Sequence, residues 1–294
     1  MVATGPSLDA AYAYCQRLAS AHYENFPVAS RLLPRHMRPH IVAIYAFARV
    51  ADDIADEGDR PATARLAGLD AWRGRLRGAA LGQPDHEGDA HAPVFVALAH
   101  TMAACRLPIG LFEDLLSAFA QDVTTTRYAT WTDLLDYCRR SANPIGRLVL
   151  RVAGHVEPAL DRSSDALCTA LQLTNFWQDL AVDWRKGRLY VPVEEARACG
   201  ARVEGFNPDA LSGEWRATLV RVIERTRALF DEGRAVCDSV DGRLRFELRL
   251  TWLGGLTILQ RAAAECRKPR PTRPKLGVTD LPALLWHASA WRSQ

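Results

Sequence analysis

A chain of 294 residues with 48% hydrophobic content can bury a large core as one domain or at most two. Its net charge of +3, with both signs interspersed, carries no nucleic-acid footprint, and its seven scattered cysteines without a C-x-x-C spacing exclude a zinc or disulfide framework and point to a reducing compartment. The N-terminal stretch MVATGPSLDAAYAYCQRL is no signal peptide, and no run nears the roughly 18 uncharged apolar residues that would span a bilayer, so the expectation is a cytoplasmic protein, peripheral to the inner membrane at most.

Taken in chain order, the apolar periodicity is helical almost throughout. Helices are predicted near 8–20, 38–57, 62–79, 92–105, 108–120, 131–153, 163–184, 209–239, 243–267 and 279–291. Pro39, Pro108 and Pro158 suit helix starts, and Gly58 suits an exit. Segment 82–91 reads as a polar loop, and 268–277, KPRPTRPKLG, is too rich in proline to be helical throughout. No composition shift or repeat divides the chain, so one all-α domain over 1–294 is expected.

Between the first two helices lies HYENFPVAS (22–30). It fits a loop over a site, with His22, Tyr23 and Asn25 toward phosphate and Phe26 toward apolar substrate, while the segment taken alone is better explained as an ordinary aromatic-anchored connection. The next helix carries AIYAFARVADDIADEG (43–58), where Asp52, Asp53 and Asp56 follow Tyr45 and Arg49. At roughly 100° per residue, Tyr45, Arg49, Asp52 and Asp56 fall within about 60° on one face, with Asp53 beside them. Acids that extend an apolar stripe need a partner, because burying an unpaired carboxylate is costly. A solvated acidic cluster paired with Arg49 is one reading; a cation held by the carboxylates is the other.

Further along, WTDLLDYCRRSANPIGRLVL (131–150) places an Asn-Pro inside a helical pattern, and a kink is expected near Asn143–Pro144. Such a kink can aim Asn143 inward, and it can also serve packing alone. Then comes LQLTNFWQDLAVD (171–183), in which Gln172, Asn175, Asp179 and Asp183 are spaced three, four and four. These four lie within about 80° on one helix face. Two stripes of oxygen ligands able to face each other across a cavity match Mg²⁺, which takes one or two carboxylates together with waters and substrate phosphates. RKGRLYVP (185–192) follows directly; Arg188 and Tyr190 can close over a phosphate, whereas Arg185 and Lys186 are as well explained as helix-end charges. No P-loop and no G-x-G-x-x-G is present.

In this order and separation, the two aspartate motifs resemble those of the squalene/phytoene synthase family, and the likeness runs from Ala11 to Leu276. The first family motif matches Asp52, Asp53 and Asp56, preceded by Tyr45 and Arg49; the second matches Gln172, Asn175, Asp179 and Asp183, followed by Arg188 and Tyr190. The resemblance implies an all-α isoprenoid synthase fold, a class I terpenoid synthase helical bundle with a central cavity. It implies Mg²⁺ held by the five aspartates and Asn175, and an isoprenoid diphosphate as substrate. Arg49, Tyr137, Gln172, Arg188 and Tyr190 would touch that substrate, and Phe26, Tyr45 and Phe47 would offer aromatic faces to a carbocation. HYENFPVAS, SANPIGRLVL and NFWQDLAVDWRKGRLYVP look most like the branch of hopanoid pathways that ionises presqualene diphosphate and lets water capture the cation.

Gln178 stands where the wider family has an arginine, Val182 where it has a glutamate, and Ser141-Ala142-Asn143 where it has a small glycine-containing segment. These departures bear on a simple two-substrate condensation, and they make Asn143 the candidate holder of the attacking water. Squalene-type or phytoene-type condensation, and a non-catalytic assembly protein on the same fold, are the alternatives. The product's low solubility predicts a peripheral membrane contact, to which Lys268, Arg270, Arg273 and Lys275 would contribute. Oligomeric state is not readable from the residues.

Overall fold

The computed structural model describes residues 6–21, 32–56, 60–84, 90–268 and 270–292. The described residues are helical, with one isolated bridge between Arg127 and Leu189 in place of any sheet. Contacts group them into two units, one within 1–124 and 144–157, the other within 125–143 and 158–294.

In the first unit, α1 (Leu8–Ala21), α2 (Arg38–Asp56), α3 (Ala62–Ala80), α4 (Ala92–Cys105) and α5 (Ile109–Thr124) form the main body, and α7 (Asn143–Val152) supplies most of the remainder. Helix α2 is central, packing on α1, α3, α4 and α5. It buries Ile41, Ile44, Phe47, Ala51 and Ala55, which recur at three- and four-residue steps and so form one apolar stripe. Phe47 is core: its ring packs edge-on against Phe112 at 5.4 Å and Phe95 at 6.2 Å and stacks on Trp72 at 5.9 Å. A ring enclosed by three others has no face left for substrate, which removes Phe47 from the cation-stabilising set.

A polar fastening joins α1, α2 and α4. The Tyr12 hydroxyl lies 2.8 Å from both His100 Nδ1 and Thr101 Oγ1, and His40 Nδ1 lies 3.1 Å from the same buried Thr101 hydroxyl. Burial lowers the pKa of His40 below the usual histidine value, and the neighbouring His100 and His36 push it the same way. A folded pKa below the unfolded one means that stability is fully present above the unfolded value, near 6.5, and is lost as pH falls through the lower folded value. The melting temperature should therefore drop below pH 6.5, and His40→Gln should flatten that slope. An equal slope in the variant would assign the acid sensitivity elsewhere.

The second unit contains α6 (Trp131–Ser141), α8 (Pro158–Gln178), α9 (Leu180–Arg185), α10 (Val193–Ala198), α11 (Gly213–Gly233), α12 (Val236–Ser239), α13 (Gly242–Glu265) and α14 (Leu281–Ser289). Thr130 and Asp133 close a reciprocal capping box at the start of α6. Helix α8 is the axis here, packed on α6, α11 and α13. A Cβ on Gly233 would stand 2.6 Å from the Leu167 backbone nitrogen, so α11 approaches α8 as closely as it does only because residue 233 lacks one. Trp177 donates from Nε1 to the Thr226 hydroxyl at 2.8 Å, fixing which face of α8 is turned inward. Gln172, Asn175 and Asp179 are left half-buried or exposed on another face.

Candidate active site

Tyr45, Arg49, Asp52 and Asp53 are all half-buried on the α2 face beside the apolar stripe. Arg49 reaches Asp52 at 3.3 Å and also pairs with Asp53. Burial raises the pKa of the Tyr45 hydroxyl; the charge of Arg49 opposes this, and the two aspartates reinforce it, so the four groups share one electrostatic neighbourhood. Asp56 is the last residue of α2 and is exposed. The ion-paired reading of the cluster is met by Arg49, and Asp52 and Asp53 keep partial exposure.

The second ladder crosses a helix break. Helix α8 ends at Gln178, and Asp179 leaves helical dihedrals before α9 begins. The Asp179 N–H still donates to the Asn175 carbonyl and the Asp183 N–H to the Asp179 carbonyl, each at 2.8 Å, so the register of the stripe survives the break. The 163–184 helix expected as one piece therefore begins earlier, at Pro158, and is split at its first acid. Arg273 lies against the Asp179 carboxylate, Nη2 to Oδ2 at 3.2 Å with Nε on the other oxygen, and Gln178 Nε2 donates to the Pro274 carbonyl at 2.7 Å. Segment 268–277, expected not to be helical throughout, has no helix among its described residues, and through Arg273 and Pro274 it is strapped across the end of α8.

After α9, Gly187 takes φ +80°, and the Arg188 N–H returns to the Asp183 carbonyl at 2.8 Å, closing the helix. Arg185, in the last turn of α9, forms an exposed ion pair with Asp209 at 3.0 Å. The chain then runs beside 126–129, with the Leu189 N–H bonded to the Thr126 carbonyl at 3.0 Å and the Val193 N–H to the Tyr128 carbonyl at 3.0 Å. This docking sets Tyr190 into a buried aromatic cluster. Its ring stacks on Phe176 at 3.7 Å and lies 5.8 Å from Tyr128 and 6.2 Å from Tyr137. Tyr137 and Tyr190 were expected as substrate contacts, and both rings are buried in this cluster; Tyr128 and Phe176 were not singled out, because each reads locally as a spacer beside a more conspicuous residue.

The predicted kink is present, since α6 ends at Ser141 and α7 begins at Asn143. Asn143 is 7% exposed, and its Oδ1 accepts from the Thr169 hydroxyl at 2.9 Å. Thr169 was not anticipated, because nothing in the sequence marks a hydroxyl one helix away. His22, Tyr23, Asn25 and Phe26 lie outside the described residues.

Each acidic stretch, taken by itself, offers the hard oxygen donors that Mg²⁺ takes. Asp52 and Asp53 on α2, and Asp179 and Asp183 around the α8–α9 break, are oxygen donors that retain partial exposure. Among the described residues no three His, Cys, Asp or Glu side chains group so that they could hold a metal ion by themselves. An all-protein cage is what Mg²⁺ seldom uses, because it keeps waters and takes substrate phosphates.

A family model described as squalene/phytoene synthase matches residues 10–279. A hydroxysqualene synthase of Sinorhizobium fredii is 34% identical over 92% of this chain and 89% of its own. Another, from Zymomonas mobilis, is 44% identical over 76% of this chain and 74% of its own. Among solved structures, a squalene synthase from Alicyclobacillus acidocaldarius superposes with a TM-score of 0.82 at 40% identity, covering 89% of this chain and 96% of that one. A dehydrosqualene synthase at 21% identity and a TM-score of 0.81 shares the fold.

Proposed function

The chain belongs to the squalene/phytoene synthase family and has the all-α isoprenoid synthase fold, and on that premise we propose that it is a Mg²⁺-dependent hydroxysqualene synthase acting on presqualene diphosphate. The observation that carries the proposal is the pair of intact aspartate ladders in a chain 34–44% identical to several hydroxysqualene synthases. The reaction breaks the carbon–oxygen bond to diphosphate, whose oxygen keeps the electron pair. The carbon skeleton rearranges as a cation, and a water oxygen then bonds to it and releases one proton. No electrons are exchanged with a cofactor, so NADPH is not needed.

Bound Mg²⁺ supplies Lewis-acid stabilisation of the departing diphosphate. Asp52, Asp53, Asp56, Asn175, Asp179 and Asp183 are its proposed ligands, and Arg49, Gln172 and Arg188 are the proposed contacts to diphosphate oxygens. Tyr45, half-buried beside Arg49 and the two aspartates, is the described ring proposed to face the cation, and a desolvated cation–π contact is worth about 2 kcal/mol; the packed rings of Tyr128, Tyr137, Phe176 and Tyr190 bring no strong base. Asn143 is the proposed water holder. Thr169 occupies one lone pair of its carbonyl and thereby sets the amide's orientation. A neutral holder suits the step, because a charged base would strip a proton from the cation before water could attack.

Head-to-head condensation of two prenyl diphosphates is the second reading, favoured by the 40% identical squalene synthase and by phytoene synthase relatives at 31–34% identity. The glutamine at 178 does not choose between the two. Arg273 brings a guanidinium to the adjacent Asp179, so this end of α8 is not without positive charge.

Substrate tests decide. With presqualene diphosphate the product should be hydroxysqualene, formed without NADPH and carrying the oxygen of labelled water. Asn143→Gly should lower the alcohol's share of the products. Efficient turnover of farnesyl diphosphate alone, or squalene made only when NADPH is added, would return the chain to the condensing branch.

A further inference from the structure

Residues 265–294 hold six basic and two acidic residues, a net of +4, while the rest of the chain, with 31 basic and 32 acidic residues, carries −1. The chain's positive balance is therefore concentrated in its last tenth. Both acids there are already neutralised: Glu265 by Lys268 at 2.5 Å, and Asp280 by Arg261 at 2.5 Å. Of the four charges expected to meet a membrane, Arg273 is committed to Asp179 and Lys268 to Glu265. Arg267, Arg270, Lys275 and Arg292 are exposed.

Charge alone would be a solvated tail, but the same segment carries apolar side chains to the surface. Leu276, Val278, Leu281, Leu285 and Trp286 are exposed, Val278 at 83% and Trp286 at 70%. Leu281 and Leu285 lie one turn apart on α14, Trp286 is turned about 100° from Leu285, and Val278 stands just before the helix, so together they form a broad exposed apolar surface. The helix rests on α13 and buries Ala288, so this apolar face is held on a packed element. Just past α14, the Trp291 ring has Arg234 4.1 Å from its centre, and Arg249 pairs with Asp238 at 2.7 Å on the element that precedes α13.

We propose that the face formed by residues 276–286, with its cationic flanks, docks on an anionic lipid surface. A short apolar helix with an outward tryptophan, entered through a segment carrying Lys and Arg, suits the headgroup boundary, where an indole is stable and acidic lipids attract the cations. A second copy of the chain would meet the same positive charge, which repels it. No described helix is long and apolar enough to cross a membrane, so the contact is peripheral. The proposal does not depend on which prenyl reaction the chain performs.

The full chain should co-sediment with vesicles of equimolar phosphatidylcholine and phosphatidylglycerol, and much less with phosphatidylcholine alone. Arg270→Gln with Lys275→Gln should weaken partitioning about 30-fold, from about 1 kcal/mol per cation near such a surface. Leu285→Ser with Trp286→Ser should weaken it on both vesicle types, and Trp286→Phe should remove most of the fluorescence quenching by brominated acyl chains. Helicity and turnover of detergent-dispersed substrate should be unchanged in all three variants. No binding by the parent chain, or binding that these variants leave unaltered, would overturn the proposal. So would sedimentation velocity showing a dimer that the Leu285/Trp286 variant splits while vesicle binding persists.

Discussion

Asp52→Asn and Asp179→Asn should each lower Mg²⁺-dependent release of diphosphate by about 10³-fold or more, on the scale seen when a preorganised electrostatic group is removed. The amide keeps the shape of the side chain and loses the charge that would bind a divalent cation. Folding should barely respond. The Asp52 and Asp179 side chains are 43% and 28% exposed, and their arginine partners can turn to water, so losing either ion pair costs about 1 kcal/mol or less. The informative result is thus the combination: turnover lost, with the helical circular dichroism signal and melting temperature nearly intact. Near-normal turnover in either variant would mean that the corresponding ladder is only an ion-paired surface, which is how Arg49 and Arg273 hold these carboxylates now. A parent chain that releases no diphosphate from any prenyl substrate would instead favour the non-catalytic assembly reading.

Most helices were legible because amphipathic periodicity is a local property. The span 38–57 was expected, and α2 occupies Arg38–Asp56. The expected 131–153 helix divides at the Asn143–Pro144 kink, as proline's missing N–H requires. Expectation and structure part where long-range contacts decide. Helix α10, six residues long, is too short to leave a periodic signature; it begins after Pro192 and is held by Glu195. Arg273 was read as part of a basic tail, because no spacing rule connects it to an acid 94 residues earlier in the chain. Phe47 was read as a cation-facing ring because it neighbours Tyr45 in sequence, yet two residues on a helix are about 200° apart, and the core claimed it.

Removing both Arg221 and Arg225 should destabilise the fold by about 3–5 kcal/mol, a large share of a typical domain's stability. Glu195, on α10, is 3% exposed and is paired with Arg221 at 2.5 Å and Arg225 at 2.7 Å. The partners are not equivalent. The arginine side chains are 50% and 41% exposed and can reach water if the carboxylate is lost, whereas the carboxylate cannot follow if they are lost. Glu195→Gln should therefore cost less than Arg221→Leu with Arg225→Leu, which strands a buried negative charge. Arg225 also lies 5.1 Å from the centre of the Trp131 ring, a contact worth about 0.5–1 kcal/mol at an exposed site and too small to explain the difference. Replacing all three residues with leucine should recover much of the loss, since a buried ion triad exchanged for apolar side chains is often neutral. The triad also has a bearing on catalysis, because α10 anchors the C-terminal end of the strap that carries Arg188 and Tyr190 past Tyr128. In the double arginine variant, turnover should fall at temperatures well below the midpoint of unfolding, as Tyr190 loses its fixed place. If the double variant melts no lower than Glu195→Gln, or if the leucine triple variant is the least stable of the three, burial of the carboxylate is not what makes this cluster costly to break.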